Sequence, residues 1–170
     1  MKHHTPFAIG RRALLVAAPI FFGIAKAQTK KTERAARPPN AAEVAWLANA
    51  SDVGLRVLAF YANTSEVTPR NLDAAFTSWK SDRSSRRAPD QVVAEGLGTV
   101  FGNLVVKHKQ ADWAVVTDSF GTELAVRSST GKELYPISSV WKRIDPKDGD
   151  INLFEPMWTL IADKELVDRR

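Results

Sequence analysis

The fold turns on residues 113–142, WAVVTDSFGTELAVRSSTGKELYPISSVWK. Residues 113–117 bring Trp113, Ala114, Val115 and Val116 together, a composition that suits a half-buried strand. Asp118-Ser119-Phe120-Gly121 reads as a turn, with Gly121 where φ is expected to be positive. Residues 123–127 return as a second strand, and residues 128–132 turn again around Gly131. A third strand is expected over residues 134–144, with Pro136 placing it at an edge or on a bulge. A fourth, short strand is expected over residues 151–154.

Helical signals flank this meander. Asn40 is a suitable N-cap for a helix beginning at Ala41. Trp46, Ala50, Val53, Val57 and Tyr61 recur every three or four residues and define its apolar face. Gly54 is the weak point where this helix could divide. Thr68-Pro69 starts a second helix, with Thr as cap and Pro at the first helical position. Its stripe is Leu72, Ala75, Phe76 and Trp79. After a polar loop over residues 81–88, Pro89-Asp90 opens a third helix. That helix is expected to bury Val93, Leu97, Val100, Phe101, Leu104 and Val105.

Gly96, Gly98 and Gly102 each weaken the third helix by about 1 kcal/mol relative to Ala. Close approach of another backbone accounts for such a cost. A phosphate-binding loop does not, since no strand-to-helix turn or Lys-Ser/Thr step follows. A last helix opens at Pro156 and carries Met157, Leu160, Ile161 and Leu166. Helices followed by a meander imply an α+β fold. N-terminal helices pack on a three- to four-stranded antiparallel sheet, and a C-terminal helix closes the chain.

The N-terminus reads differently from the rest. Arg11-Arg12 precedes the apolar run ALLVAAPIFFGIA at residues 13–25, and Ala25-Lys26-Ala27 ends it. A basic start, a short apolar middle and a small-x-small end describe a cleaved secretory signal over residues 1–27, cut before Gln28. The run falls short of the about 20 residues a membrane span needs. Sec export is expected, and Arg11-Arg12 also fits the twin-arginine route. The expected location is periplasmic or secreted. Residues 28–40, polar and ending in Pro38-Pro39-Asn40, are read as a disordered linker, and residues 41–170 as one domain.

Removing residues 1–27 takes four of the 24 basic residues and none of the 19 acidic ones. The remaining 20 against 19 gives no basic excess, so nucleic-acid binding loses its electrostatic basis. The chain has no Cys, which excludes disulfides, thiol nucleophiles and thiolate metal sites.

Beyond residue 27, the remaining His is His108, expected at the end of the third helix in a structural role. A triad of Ser138 or Ser139 with His108 and Asp118 lacks any nucleophile elbow. One His without Cys does not make a zinc site. The acidic run at residues 145–150, DPKDGD, lacks the closing Glu of a calcium loop and reads as a turn. No metal or cofactor is expected. Asp118 and Glu123, flanking the first turn, are the carboxylate pair that glycoside hydrolysis would require. Trp113, Phe120, Trp141, Lys142 and Arg143 are the candidate partner-binding residues, with Lys142 and Arg143 expected on opposite faces of a strand.

Several of these steps together resemble a bacterial domain of unknown function, family 3806. The pattern runs through Phe101-Gly102, the strand from Trp113 to Asp118, Phe120-Gly121 and Glu123-Leu124-Ala125-Val126. It closes on Tyr135-Pro136 and Lys142-Arg143, and the resemblance spans roughly residues 68–145. It implies a stand-alone α+β domain and brings no catalytic residue with it. The resulting expectation is a non-catalytic, exported domain that binds a protein partner in the envelope, as immunity proteins cover an enzyme. The alternative is an envelope hydrolase using Asp118 and Glu123.

Overall fold

The Asn40 cap of one helix and Pro136 at the start of another set the architecture. The computed structural model describes residues 34–145 and 152–163, all within the unit Lys31–Arg170. The expected secretory signal, the linker up to residue 33, the 146–150 turn and Leu166 lie outside the described residues.

The chain forms β1 (Ala35–Arg37), α1 (Ala41–Ala62), α2 (Pro69–Ser81), α3 (Asp90–His108), β2 (Ala111–Asp118) and β3 (Gly121–Ser128). It continues through β4 (Glu133–Leu134), α4 (Pro136–Trp141) and α5 (Phe154–Asp163). The four strands make one sheet in the order β1-β2-β3-β4, each pair antiparallel. The α+β class therefore stands, with a sheet that differs from expectation in two strands.

The expected third strand over residues 134–144 is cut to Glu133–Leu134. Pro136 does not bulge a strand; it occupies the first turn of α4. Its fixed φ and missing N–H favour that position and forbid a central ladder position. Lys142 and Arg143 consequently leave α4 in turn geometry, their N–H groups bonded to Ser138 and Val140 carbonyls. They do not alternate across a strand. Of the expected strand at residues 151–154, Ile151 lies outside the described residues, Asn152 and Leu153 are not in a strand and Phe154 begins α5. The fourth strand is β1, from residues expected in the linker, where Ala35, Ala36 and Arg37 pair with Thr117, Val116 and Val115.

Asn40 caps α1 as expected and forms a full capping box with Glu43. Arg37 adds two bonds of 2.7 Å to the Glu43 carboxylate, and the Asn40 N–H adds another of 2.7 Å. Arg37 first, then the Asn40 N–H, pull the Glu43 carboxyl down to about 2. A carboxyl whose folded pKa lies below its unfolded value of about 4.3 stabilises fully above that value and ceases to do so as pH falls through the folded one. Acidification from about pH 4 to about pH 2 is therefore expected to release Arg37 from Glu43 and fray the start of α1. Amide exchange at Ala36, Arg37 and Glu43 reads this directly. Unchanged protection at pH 2 contradicts it.

Gly54 does not divide α1, which runs unbroken for 22 residues. Its buried stripe is Leu47, Ala50, Gly54, Val57 and Leu58, rotated from the expected one, and Trp46 is exposed. The rotation brings Gly54 against α3, where a Cβ on Gly54 would lie 2.2 Å from the Gly96 carbonyl oxygen. The stripes expected for α2 and α3 are buried, except that Leu104 is only partly covered. In α5, which begins two residues earlier than expected, Ile161 is buried, Met157 partly so, and Leu160 is exposed. Among the described residues no helix is long and apolar enough to cross a membrane.

α5 gets its cap from elsewhere in the chain. Asp73, 5% exposed on α2, accepts from the N–H groups of Leu153, Phe154 and Glu155 at 2.6, 2.8 and 2.8 Å. Those donors are orphans of the helix start, and a buried charged acceptor satisfies all three. Asp73→Asn keeps the shape but loses the charge and one acceptor. It is expected to cost about 1.5 kcal/mol in urea unfolding. A variant as stable as wild type would mean the bonds add nothing.

Candidate binding surface

The β2–β3 hairpin carries the site at its tip. Asp118 Oδ1 accepts from the Phe120 N–H at 2.7 Å, so this carboxylate closes its own turn. Gly121 takes φ 138°, as the turn requires. With the chain reversed here, the Phe120 side chain is left 98% exposed. A phenylalanine placed so gains nothing for the fold from burial.

The register fixes the neighbours. Val116 faces Glu123 and Asp118 faces Gly121, so Asp118 and Glu123 lie on one face of the sheet as diagonal neighbours. Glu123 accepts a hydrogen bond from Ser138 Oγ of α4. α4 is held in place by α3: at Gly98 a Cβ would be 2.7 Å from the Ile137 Cα. Trp141, at the end of α4, is 43% exposed. Between the hairpin tip and α4 opens a hollow of about 620 Å³, bordered by Phe120, Glu123, Ser138, Trp141 and Lys142.

A polar network forms its other border. Glu133 of β4, its side chain 8% exposed, receives hydrogen bonds from Arg34 and from the Tyr135 hydroxyl, the latter at 2.6 Å. Arg34 also donates to Tyr135 at 2.9 Å, and Arg127 stands 3.7 Å from Glu133. Burial, then the bond to Glu133, pushes the Tyr135 phenol up. Arg34 is held more firmly protonated, first by Tyr135 and then by Glu133. Arg34 lies just before β1 and Glu133 lies in β4, so this network spans the sheet from edge to edge.

The structure thus brings Asp118, Phe120, Glu123, Trp141 and Lys142 around one hollow. It places Trp113 and Arg143 elsewhere. The Trp113 indole packs on Gly102 and donates to Asn103 at 2.8 Å, which in turn donates to Ser51. Arg143 gives its carbonyl to Lys80 at 2.9 Å. The nominated triad is not assembled: Ser138 bonds Glu123, Ser139 bonds the Tyr135 carbonyl, and the His108 ring meets Trp158 edge-on at 6.0 Å. Among the described residues no group of three or more His, Asp or Glu is placed to hold a metal.

Sequence reading missed Arg34 and Glu133, and named Ser138 only for a rejected triad and Tyr135 only in the family resemblance. Glu133 and Tyr135 are two apart in extended chain, which puts them on one face and was a usable signal. Arg34 had none, being 99 residues away from its partner.

A crystal structure from Bacteroides thetaiotaomicron is similar in fold, with a TM-score of 0.60 at 11% identity, over 81% of this chain and 50% of that one. This chain therefore spans half the length of that structure. No curated protein matches the chain significantly. Residues 74–154 match the family model described as Domain of unknown function (DUF3806), the family that this sequence resembles from its second helix to Lys142-Arg143.

Proposed function

We propose that this is an exported, non-catalytic interaction domain of the bacterial envelope, acting by covering a surface of a protein partner. The observation that carries the proposal is the pair of exposed aromatics, Phe120 and Trp141, beside one open hollow. Aromatic anchors beside a concavity are the usual makings of a binding hot spot. The carboxylates at the same hollow are already engaged, Asp118 by its own turn and Glu123 by Ser138. That disposition favours recognition over acid–base chemistry, where one carboxyl must hold a proton for the leaving group. The secretory features of residues 1–27 support the envelope as the place of action.

The test is affinity capture of the tagged full chain from its native envelope, with crosslinking and mass spectrometry. One stoichiometric protein partner is expected. Phe120→Ser and Trp141→Ala should each weaken it by about 2 kcal/mol, roughly 30-fold, while leaving the melting temperature nearly unchanged. No partner after crosslinking, or full retention by both variants, overturns the proposal. Cell-wall cleavage lost in Asp118→Asn and Glu123→Gln would establish the hydrolase reading instead.

A further inference from the structure

The early end of β4 leaves part of β3 without a strand partner. β4 pairs only with Val126 and Arg127 of β3. Pro136 then turns the chain into α4, and residues 121–125 have no strand partner on that side. The direction of their backbone groups follows from one bond. The Ser128 N–H points toward the β4 side, donating to the Lys132 carbonyl at 2.9 Å. Backbone groups alternate sides along a strand, so Thr122 and Leu124 also present their N–H and C=O groups to that side. The hollow bordered by Phe120, Ser138 and Trp141 reaches this edge at Thr122 and extends over the sheet to Val116 and Asp118.

Resting on the interaction reading above, we propose that the partner enters this hollow as an extended segment and pairs with β3 at Thr122 and Leu124. This is strand addition, in which backbone bonds supply affinity and alternate side chains supply selectivity. The sheet face chooses the chemistry. Directly opposite Glu123, on the face that also carries Asp118, lysine or arginine is favoured, with the cations Arg34 and Lys142 bordering the same hollow. The alternate residues lie on the face of Leu124 and Val126, the latter fully buried in the core, so they are apolar. The partner segment therefore alternates basic and apolar residues. A second copy of this chain fits less well. The self-pairing that uses Thr122 and Leu124 of both copies sets two Glu123 carboxylates directly opposite each other, which is unfavourable.

The probe is a capped heptapeptide alternating valine and lysine, added to the full chain and read by amide exchange and titration. Bound peptide is expected to slow exchange at Thr122 and Leu124 by about ten-fold or more. A version with glutamate for lysine should bind at least about ten-fold more weakly, and Glu123→Gln should shrink that difference. In antiparallel addition the groups that bond Thr122 and Leu124 belong to the valines, so N-methylated valines should abolish binding and N-methylated lysines should not.

Each failure has a separate meaning. If neither amide gains protection while Phe120→Ser and Trp141→Ala still lose the captured partner, strand addition is wrong and the interaction reading stands. If those variants keep the partner, the hollow is not the binding site and both fall. If sedimentation shows a dimer whose Thr122 and Leu124 amides are protected without peptide, the occupant is a second copy and the partner-segment proposal is overturned.

Discussion

Trp79→Ala is expected to destabilise the domain by about 4 kcal/mol, in line with removal of a fully buried aromatic. Trp79 is completely buried, stacks on Phe76 with centroids 5.4 Å apart, and has the Arg87 guanidinium 4.0 Å over its ring. Its indole N–H donates to the Ala88 carbonyl at 2.8 Å, and its own carbonyl accepts from Arg87 at 3.3 Å. Nearby, the Tyr61 hydroxyl accepts from the Ala88 N–H and donates to Asp82. One side chain therefore fills the core under α2 and also pins the charged loop that leads into α3. Trp79→Phe separates the two roles. It keeps most of the packing and leaves the Ala88 carbonyl without its indole, for a loss of about 1–2 kcal/mol. Urea unfolding gives the magnitudes, and limited proteolysis within residues 82–88 reads the loop. A loss under about 1 kcal/mol for Trp79→Ala, or a loop that stays resistant, would contradict this account.

How far the sequence revealed the fold depended on how local each cause was. Asn40, Thr68 and Pro69 act on groups within one helical turn, and their positions were read correctly. Pro136 was recognised as a strand breaker but assigned too mild an effect. Tyr135, Ile137 and Trp141 alternate as a strand would, and a six-residue helix is too short to show a helical period. Trp46 drew the apolar face of α1 to the wrong side, because glycine adds nothing to an apolar stripe and Gly54 marks the real one. Asp73 capping α5 and Arg34 reaching Glu133 join residues about eighty and a hundred apart, and no spacing rule contains such pairs. At the binding surface, Phe120 and Trp141 were legible as aromatics next to turns. Their exposure was not, since it depends on where α4 goes.

Gly98 of α3 seats α4, and the neighbouring glycine contact of α3 with α1 yields the second large effect. Gly54→Ala is expected to cost about 3 kcal/mol, although Ala gains about 1 kcal/mol in helix propensity. A Cβ at Gly54 would meet the Gly96 oxygen at 2.2 Å and its carbonyl carbon at 2.5 Å. Both are backbone atoms of α3, so no side chain can swing aside and the helices must separate. Gly96→Ala should behave similarly, with the Gly54 Cα at 2.8 Å. α3 fixes three neighbours through its glycines: Gly96 seats α1, Gly98 seats Ile137 at the start of α4, and Gly102 seats the Trp113 ring. Substitution at the α1 crossing should lower stability while the hairpin tip keeps its geometry. Gly98→Ala should instead push α4 outward and move Ser138 away from Glu123. Chemical unfolding of Gly54→Ala reads the first effect, and a stability equal to or above wild type would show that propensity governs the site. Amide shifts at Glu123 and Trp141 in Gly98→Ala read the second. Shifts confined to α3 would mean that the glycine spacing does not set the width of the hollow.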